Sequence, residues 1–258
     1  MEIIFLGTGG GRVNLLKQIR LTGGFRINSK SANIHVDPGP GALINSINAN
    51  QNLFDLDVVI VSHTHIDHSN DAGLLIEAMS DHALKNGGIL IASDNSLGTT
   101  TSDHVISKFH QKLVLENYTA KWGDKKTFKT KKTNRSFEIE ILKTDHGDSS
   151  GFGFKLFVDG KIIGYTSDTG LFENMGSLYQ GCDVLVLNCL KLKPDNFNKH
   201  LSVDDSIQLL KVVKPKLAIL NHIGTHIIEA GPELIAKRIE KETGVKTVAA
   251  KDFQIFRL

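Results

Sequence analysis

Ten short apolar runs constrain the fold of this chain more than any other feature of its sequence. They are rich in Ile, Val, Leu and Phe and are bounded by Gly, Asp, Asn and Pro, a pattern typical of β-strands that end in turns. Four longer stretches between them carry apolar residues at helical spacing. The predicted strands are Ile3–Leu6, Ser31–Val36, Val58–Val61, Ile89–Ala92, Phe137–Leu142, Phe152–Val158, Ile162–Tyr165, Val184–Leu187, Leu217–Leu220 and Val245–Ala249, and the predicted helices are Asp71–Lys85, Asp103–Glu116, Val203–Val213 and Glu233–Thr243.

The order of these elements predicts how they assemble. Strands precede helices in two similar halves, near residues 1–125 and 126–258. We therefore predict an α/β (α+β) fold in which residues 1–258 form one domain, a four-layer αββα sandwich. A doubly wound α/β fold is the alternative. The runs 152–158 and 162–165 are joined by Asp159-Gly160, a hairpin signal that indicates antiparallel strands and favours the sandwich.

Composition and charge narrow the class of protein. The chain is 40% hydrophobic and 22% charged, as ordinary globular proteins are. Its net charge of +2 leaves local patches as the electrostatic clue. No apolar run reaches the ~18 residues of a membrane span, and the N-terminus has the pattern of a strand instead of a signal peptide. Cys182 and Cys189 flank one predicted strand, too far apart for a disulfide, so we expect a cytoplasmic protein without a membrane segment.

A segment rich in histidine, residues 63–68, directly follows the predicted strand Val58–Val61. Its sequence, HTHIDH, supplies three imidazoles and one carboxylate, ligand types that zinc and related divalent metals prefer. Alternate residues of an extended segment point the same way, so the first two histidines can share one ion. The aspartate and the third histidine lie past the turn and can face a second ion. A polar loop with chance histidines is the less favoured interpretation. The candidate ligands are His63, His65, Asp67 and His68.

Three isolated residues follow other predicted strands in the same way. His146 comes after Phe137–Leu142, Asp168 after Ile162–Tyr165, and His222 after Leu217–Leu220. Side chains that leave strands at one edge of a sheet can converge on a site. Each residue alone fits a loop histidine or a turn aspartate, but together they favour a shared metal site.

These motifs together resemble the metallo-β-lactamase superfamily. The likeness extends from Gly7-Thr8-Gly9 to near the C-terminus and includes the HxHxDH segment, the later lone histidine, the Ser-Asp-Thr segment and the final strand-end histidine. Asp37 matches the family's strand-end aspartate, which contacts the ligand loop. The resemblance implies two metal ions, one held by His63, His65 and His146, the other by Asp67, His68 and His222, with Asp168 as the bridge.

Within the superfamily the chain is most similar to the tRNase Z and PhnP-type phosphodiesterases. Their likeness includes the opening FLGTG, residues 5–9, and the segment YTSDT, residues 165–169. His200 falls where those phosphodiesterases carry a catalytic histidine, and the resemblance implies that it protonates the leaving oxygen. Lys191, Lys193 and Lys199 precede it and could meet a phosphate.

The resemblance implies a dinuclear metal-dependent hydrolase. We expect a phosphodiesterase that acts on a small or nucleotide-like phosphodiester through a hydroxide bridging two metal ions, with Asp67 and His200 as catalytic residues. Zinc is favoured, with manganese or iron as alternatives. A carbonyl hydrolase for a thioester, lactone or β-lactam is the first alternative function. A metal-binding protein without catalytic activity is the second.

The expected partner is the small-molecule or nucleotide-like substrate. Nucleic acid is not favoured, because the short segment 147–167 leaves no room for the inserted arm with which tRNase Z grips tRNA. A basic run over residues 125–135 is interpreted as a solvated hairpin or loop, with nucleic-acid contact as the alternative. We expect no membrane partner and leave a homodimer open.

Overall fold

The apolar runs form two β-sheets that pack face to face. The structure is a computed structural model that describes residues 1–100, 104–195 and 199–258. The first four strands of the first sheet, counted in spatial order, pair antiparallel, and the remaining three strands add in parallel. In spatial order its strands are β15 (Ile255–Arg257), β1 (Glu2–Phe5), β2 (Phe25–Asn28), β3 (Asn33–Val36), β4 (Val58–Val61), β5 (Ile89–Ala92) and β6 (Glu116–Thr119).

The second sheet has the same mixture of pairings. Its first four strands along the chain form antiparallel pairs, and the later strands add in parallel. In spatial order they are β14 (Thr247–Ala249), β13 (Leu217–Asn221), β11 (Val184–Lys191), β10 (Lys161–Tyr165), β9 (Phe152–Val158), β8 (Ser136–Lys143) and β7 (Lys125–Lys129), while the short β12 (Leu201–Ser202) pairs with β11.

Strand β4 shows why the sheets are covered on both faces. Val58 and Ile60 belong to the core between the two sheets, whereas Val59 and Val61 face outward into a second core. All four are fully buried. A strand buried on both faces has a continuous apolar sequence instead of an alternating one, which is why VVIV is uniformly apolar.

Helices cover the outer face of each sheet and complete four layers. Side chains from α2, α4 and α5 pack outside the first sheet, and side chains from α7 to α10 pack outside the second. The predicted αββα sandwich is therefore confirmed. The helices are α1 (Arg12–Lys17), α2 (Ala42–Asn48), α3 (Ile66–Ser69), α4 (Ala72–Met79), α5 (Asp94–Leu97), α6 (Lys108–Lys112), α7 (Met175–Leu178), α8 (Val203–Val213), α9 (Thr225–Ala230) and α10 (Pro232–Thr243).

Two helix predictions need correction. The predicted helix Asp103–Glu116 begins outside the described residues, and within them only α6 is helical, because Glu116 already pairs in β6 beside β5. The predicted helix Asp71–Lys85 ends at Met79, since the three residues at 81–83 have positive φ, which a right-handed helix excludes. In both cases the chain must turn to bring its next strand into the first sheet.

The interpretation of the basic run as a solvated hairpin is confirmed, because residues 125–135 form the first strand and the turn of a β-hairpin. Lys125 and Lys126 lie in β7, which pairs antiparallel with β8. Lys125 forms an ion pair of 3.0 Å with Glu138 on β8, and Lys126 forms one of 2.7 Å with Glu116 on β6 of the first sheet. The first ion pair joins two paired strands, and the second joins the two sheets. No helix in the described parts of the chain has the length and apolarity of a membrane span.

Candidate metal centre

Strand ends from both sheets bring the predicted ligands together. His63, His65, Asp67 and His68 follow β4, and α3 carries the last two of them. His146, Asp168 and His222 come after β8, β10 and β13 of the second sheet. The site therefore lies where the two sheets open at one edge. All seven predicted metal ligands are found there in groups whose donor atoms lie within 4.8 Å of one another.

The first group contains three histidines and one aspartate. His65 Nδ1 lies 3.1 Å from His63 Nε2 and 3.1 Å from His146 Nε2. Each imidazole nitrogen offers one proton or one lone pair, so hydrogen bonds alone suit three converging nitrogens poorly. Nitrogens about 2.0–2.1 Å from a tetrahedral zinc lie about 3.3 Å apart, close to these separations. The geometry of this group fits a metal ion.

The second group lies beside the first. His68 Nε2 and His222 Nε2 are 3.1 Å apart, and Asp67 Oδ2 lies 3.3 Å from the His222 nitrogen and 3.8 Å from the His68 nitrogen. Two imidazoles and a carboxylate again form a ligand set that suits zinc, manganese or iron.

Asp168 faces both groups with one oxygen. Its Oδ2 lies 3.3 Å from His68 Nε2 and 3.4 Å from His222 Nε2, and 3.8–3.9 Å from His63 and His146 of the first group. Its Oδ1 accepts a hydrogen bond of 2.7 Å from the Asn188 side chain, which fixes the carboxylate. Asp168 is thus placed where a ligand shared by two ions would lie.

Hydrogen bonds on the far side orient three of the imidazoles. His63 Nδ1 contacts the Ser62 hydroxyl at 3.0 Å, and His146 Nδ1 lies 3.0 Å from the Lys199 carbonyl oxygen. His68 Nδ1 lies 2.9 Å from Asp37 Oδ2. Such partners fix the ring orientation and the tautomer of metal-binding histidines.

Asp37 connects the end of β3 to this site. Its buried carboxylate accepts hydrogen bonds from the backbone N–H and hydroxyl of Ser62, both at 2.7 Å, and from the Tyr165 hydroxyl at 2.7 Å. Together with the His68 contact, these bonds saturate the carboxylate. Asp37 therefore links strands of the two sheets and positions the ligand segment.

The charges of the site are strongly coupled. Burial raises the pKa of Asp168, but the imidazoles of His222 and His68 outweigh burial and hold that pKa well below its usual range. Burial likewise opposes charge on His68, yet the carboxylates of Asp168 and Asp67 raise its pKa well above the usual value. Burial lowers the pKa of His63 well below its usual value. The centre thus favours ionised carboxylates that attract a cation.

His200 lies at the rim of the two groups. Its Nδ1 is 3.6 Å from Asp168 Oδ2 and has no hydrogen-bond partner among the described residues, although it is buried. Its ring stacks on His222 and meets the edge of His146. Burial lowers the pKa of His200 to about 4. The structure therefore places His200 beside the predicted ligands.

A cleft of about 970 Å³ opens over the centre. It contains the exposed parts of His65, Asp67, His146, Asp168, His200 and His222. Of the three lysines that precede His200, Lys199 lines the cleft, Lys193 is exposed elsewhere and Lys191 pairs with Asp195. Arg12 from α1 also lines the cleft.

Two residues that support the site were not found by sequence reasoning. A Cβ atom on Gly10 would lie 2.2 Å from His222 Nδ1, so only glycine leaves room for that ring. The signal for it was the glycine run at residues 7–11. Asn188, which holds Asp168, belongs to the resemblance to the phosphodiesterases but was assigned no role from the sequence, where its signal is a polar residue in an otherwise apolar run, VLVLNC.

Sequence comparisons place the chain among proteins of one family. The family described as the β-lactamase superfamily domain matches residues 32–223. An uncharacterized protein of Methanocaldococcus jannaschii is 33% identical over 97% of this chain and 92% of its own length. A protein of Carboxydothermus hydrogenoformans described as a UPF0173 metal-dependent hydrolase is 27% identical over 66% of this chain and 67% of its own.

Solved structures share the fold. YhfI from Bacillus subtilis, a metallo-β-lactamase fold protein, has a TM-score of 0.76 at 19% identity and covers 99% of this chain and 98% of its own. A diphosphatase of the PhnP family has a TM-score of 0.66 at 14% identity, over 100% and 97% of the two chains. The short form of human tRNase Z has a TM-score of 0.68 at 14% identity, over 100% and 99%. The resemblance seen in the sequence is confirmed at the level of fold.

Proposed function

Because the chain belongs to the β-lactamase superfamily domain family, we propose that it is a dinuclear metal-dependent hydrolase that cleaves a small or nucleotide-like phosphodiester. The observation that carries this proposal is the position of Asp168 Oδ2, which faces both groups of ligand atoms. The relative described as a metal-dependent hydrolase supports the general class of activity.

The ligands are assigned by the two groups of donor atoms. His63, His65 and His146 would hold one ion, Asp67, His68 and His222 the other, and Asp168 both. When bound, divalent ions of this kind lower the pKa of a coordinated water from 15.7 toward about 7 and supply a hydroxide nucleophile at neutral pH. Zinc suits the nitrogen-rich donor set, and manganese or iron are alternatives.

Cationic side chains in the cleft support an anionic substrate. Arg12 lines the cleft and has no carboxylate partner among the described residues. Lys199 lines it as well and is 59% exposed, with its ammonium 2.6 Å from Asp145. A guanidinium and an ammonium beside the metal ligands can bind phosphate oxygens. A neutral thioester, lactone or β-lactam carbonyl would not need them.

Asp67 and His200 are the proposed catalytic residues. The carboxylate of Asp67 is 13% exposed to the cleft, where it can accept a hydrogen bond from the nucleophile and orient it. His200 would donate a proton to the leaving oxygen. Burial lowers the pKa of this ring, and a bound phosphodiester anion within ~4–6 Å would act in the opposite direction and favour its protonated form.

A substrate panel tests the proposal. Protein reconstituted separately with zinc, manganese and iron is assayed on bis(p-nitrophenyl) phosphate and on thioester, lactone and β-lactam substrates. We expect turnover of the phosphodiester. Turnover confined to a carbonyl substrate would establish a carbonyl hydrolase instead, and no turnover with any loaded metal would favour a metal-binding protein without activity. Precursor tRNA is expected to be a poor substrate.

A further inference from the structure

Helix α1 buries a polar residue and exposes apolar ones. The one buried residue of the helix is Asn14, whose side chain donates to the Arg20 carbonyl at 2.8 Å and accepts from the Arg20 backbone N–H at 2.9 Å. Leu16 is 84% exposed and Val13 is 53% exposed. Surface helices of globular proteins usually bury their apolar residues and expose polar ones. An apolar ligand that covers this helix would explain the inverted pattern.

The exposed side chains of α1 belong to one apolar surface inside the catalytic cleft. We call this surface the α1 wall and define it by Val13, Leu15, Leu16, Ile66 and Leu190, all of which line the cleft. It continues into a neighbouring hollow of about 440 Å³ formed by Leu15, Leu16, Ile66 and Pro40. Contiguous exposed apolar surface of this kind marks a binding site.

Ile66 belongs to the α1 wall and adjoins the metal centre. It is the residue between His65 and Asp67, and it is 56% exposed. An apolar group on the α1 wall would therefore lie immediately beside a substrate atom at the ligands. A second copy of the chain seated on the same surface would cover the centre, so the position of the wall favours the substrate as its occupant.

We propose that the substrate is an amphiphilic phosphodiester, whose apolar ester group packs on the α1 wall while its anion faces Arg12 and the metal ligands. This inference rests on the proposed phosphodiesterase function and specifies its substrate class. Burial of the apolar group removes it and the wall from water, which favours binding in proportion to the area covered. Leu16 is the specificity residue, because it is the most exposed member of the wall.

Two diesters with the same leaving group test the substrate class. Octyl p-nitrophenyl phosphate, below its micelle concentration, and methyl p-nitrophenyl phosphate are compared by kcat/KM with the metal-loaded enzyme. We expect the octyl ester to be preferred at least tenfold, and Leu16→Asp to reduce this preference at least fivefold. Val13→Asp should act in the same direction. Leu84→Asp is the matched control, since Leu84 is 81% exposed but lies outside the cleft, and it should keep the full preference.

Binding of two phosphonates separates failure of the inference from failure of the proposed function. Calorimetry on the loaded protein should show tighter binding of octylphosphonate than of methylphosphonate, with the difference reduced by Leu16→Asp. If neither diester is hydrolysed but octylphosphonate still binds more tightly, the α1 wall is supported as an apolar binding surface and the phosphodiesterase proposal fails. If both esters are hydrolysed with equal kcat/KM, the inference is overturned and the function stands. A change in sedimentation with Leu16→Asp at unaltered preference would also overturn it, and would identify a surface for self-association.

Discussion

Asp168 interacts with both ligand groups through a single carboxylate oxygen. Its Oδ2 lies 3.3–3.9 Å from imidazole nitrogens of both ligand groups, and Asn188 holds the other oxygen. Without a cation, the cost of burying this carboxylate is offset by the surrounding imidazoles and by the Asn188 amide. The residue is thus expected to matter more for metal binding than for packing.

Replacement of Asp168 by Ala should lower metal content at both sites. We expect the wild-type protein to hold two ions per chain and the variant at most one, because each group loses the shared oxygen. Elemental analysis after equal loading and dialysis measures this. His82→Ala is the control. This variant should retain two ions, because His82 is largely exposed on a turn. A variant that still held two ions would contradict the bridging role.

His200 should affect turnover without affecting metal content. We expect His200→Ala to retain two ions and to lose about 10²–10⁴-fold in rate for a diester with a ribose hydroxyl as leaving group, the range of general-acid contributions. The loss should be small for p-nitrophenolate, which departs without a proton. Equal rates of wild type and variant on both leaving groups would show that His200 only fills the rim, and a loss of metal would make it a ligand.

At the scale of elements, the N-terminal turn supports the end of β13. The Ile223 N–H donates to the Thr8 carbonyl at 2.8 Å, and the Gly10 N–H donates to the Ile223 carbonyl at 3.1 Å. His222, with φ of 52°, projects from this junction toward Asp67 and His68. The turn therefore sets the position of one ligand in the second group.

Gly10→Ala should displace His222 and empty one site. The added Cβ would lie 2.2 Å from the ring, too close for any real contact, so the ring or the turn must move. We expect one ion per chain instead of two, with the ligands of the first group unaffected. Gly170→Ala is a suitable control, because its Cβ would meet only ordinary contacts at 3.6 Å or more. Full metal content in Gly10→Ala would contradict this prediction, because it would show that the turn can move without displacing His222 from the site.

At the scale of the whole molecule, we propose that residues 1–258 form a single domain of two similar halves, near 1–125 and 126–258. The core between the sheets contains side chains from both halves. In addition, β15 at the C-terminus pairs with β1, so the first sheet draws a strand from the second half. Neither half buries its inner face without the other.

The protein should therefore unfold in one cooperative transition. Near-UV and far-UV circular dichroism of the metal-loaded protein, followed on heating, should give coincident curves. Removal of residues 251–258 should lower the midpoint for both signals together, because β15 is lost from the first sheet. Two separated transitions would show that the halves are independent units.

The sequence by itself determined the elements whose information is local. The strands Val58–Val61, Ile89–Ala92 and Phe152–Val158 and the helix Val203–Val213 have the predicted bounds, since periodicity and turn residues record which face is buried. Ser202 and Asp205 stand at the spacing of a capping box, and the structure contains both of its hydrogen bonds at the start of that helix. The ligand candidates were recognisable because their residue types and spacing suit a metal.

The tertiary structure alone decided which distant residues meet. Tyr165 reaches Asp37, Asn188 reaches Asp168 and Gly10 makes room for His222, across separations that no local pattern records. Likewise, β15 joins the first sheet, and Glu116 pairs in a strand where helical spacing predicted a helix. The physical reason is that strand register and sheet packing fix these contacts, whereas periodicity specifies only the side of an element that is buried.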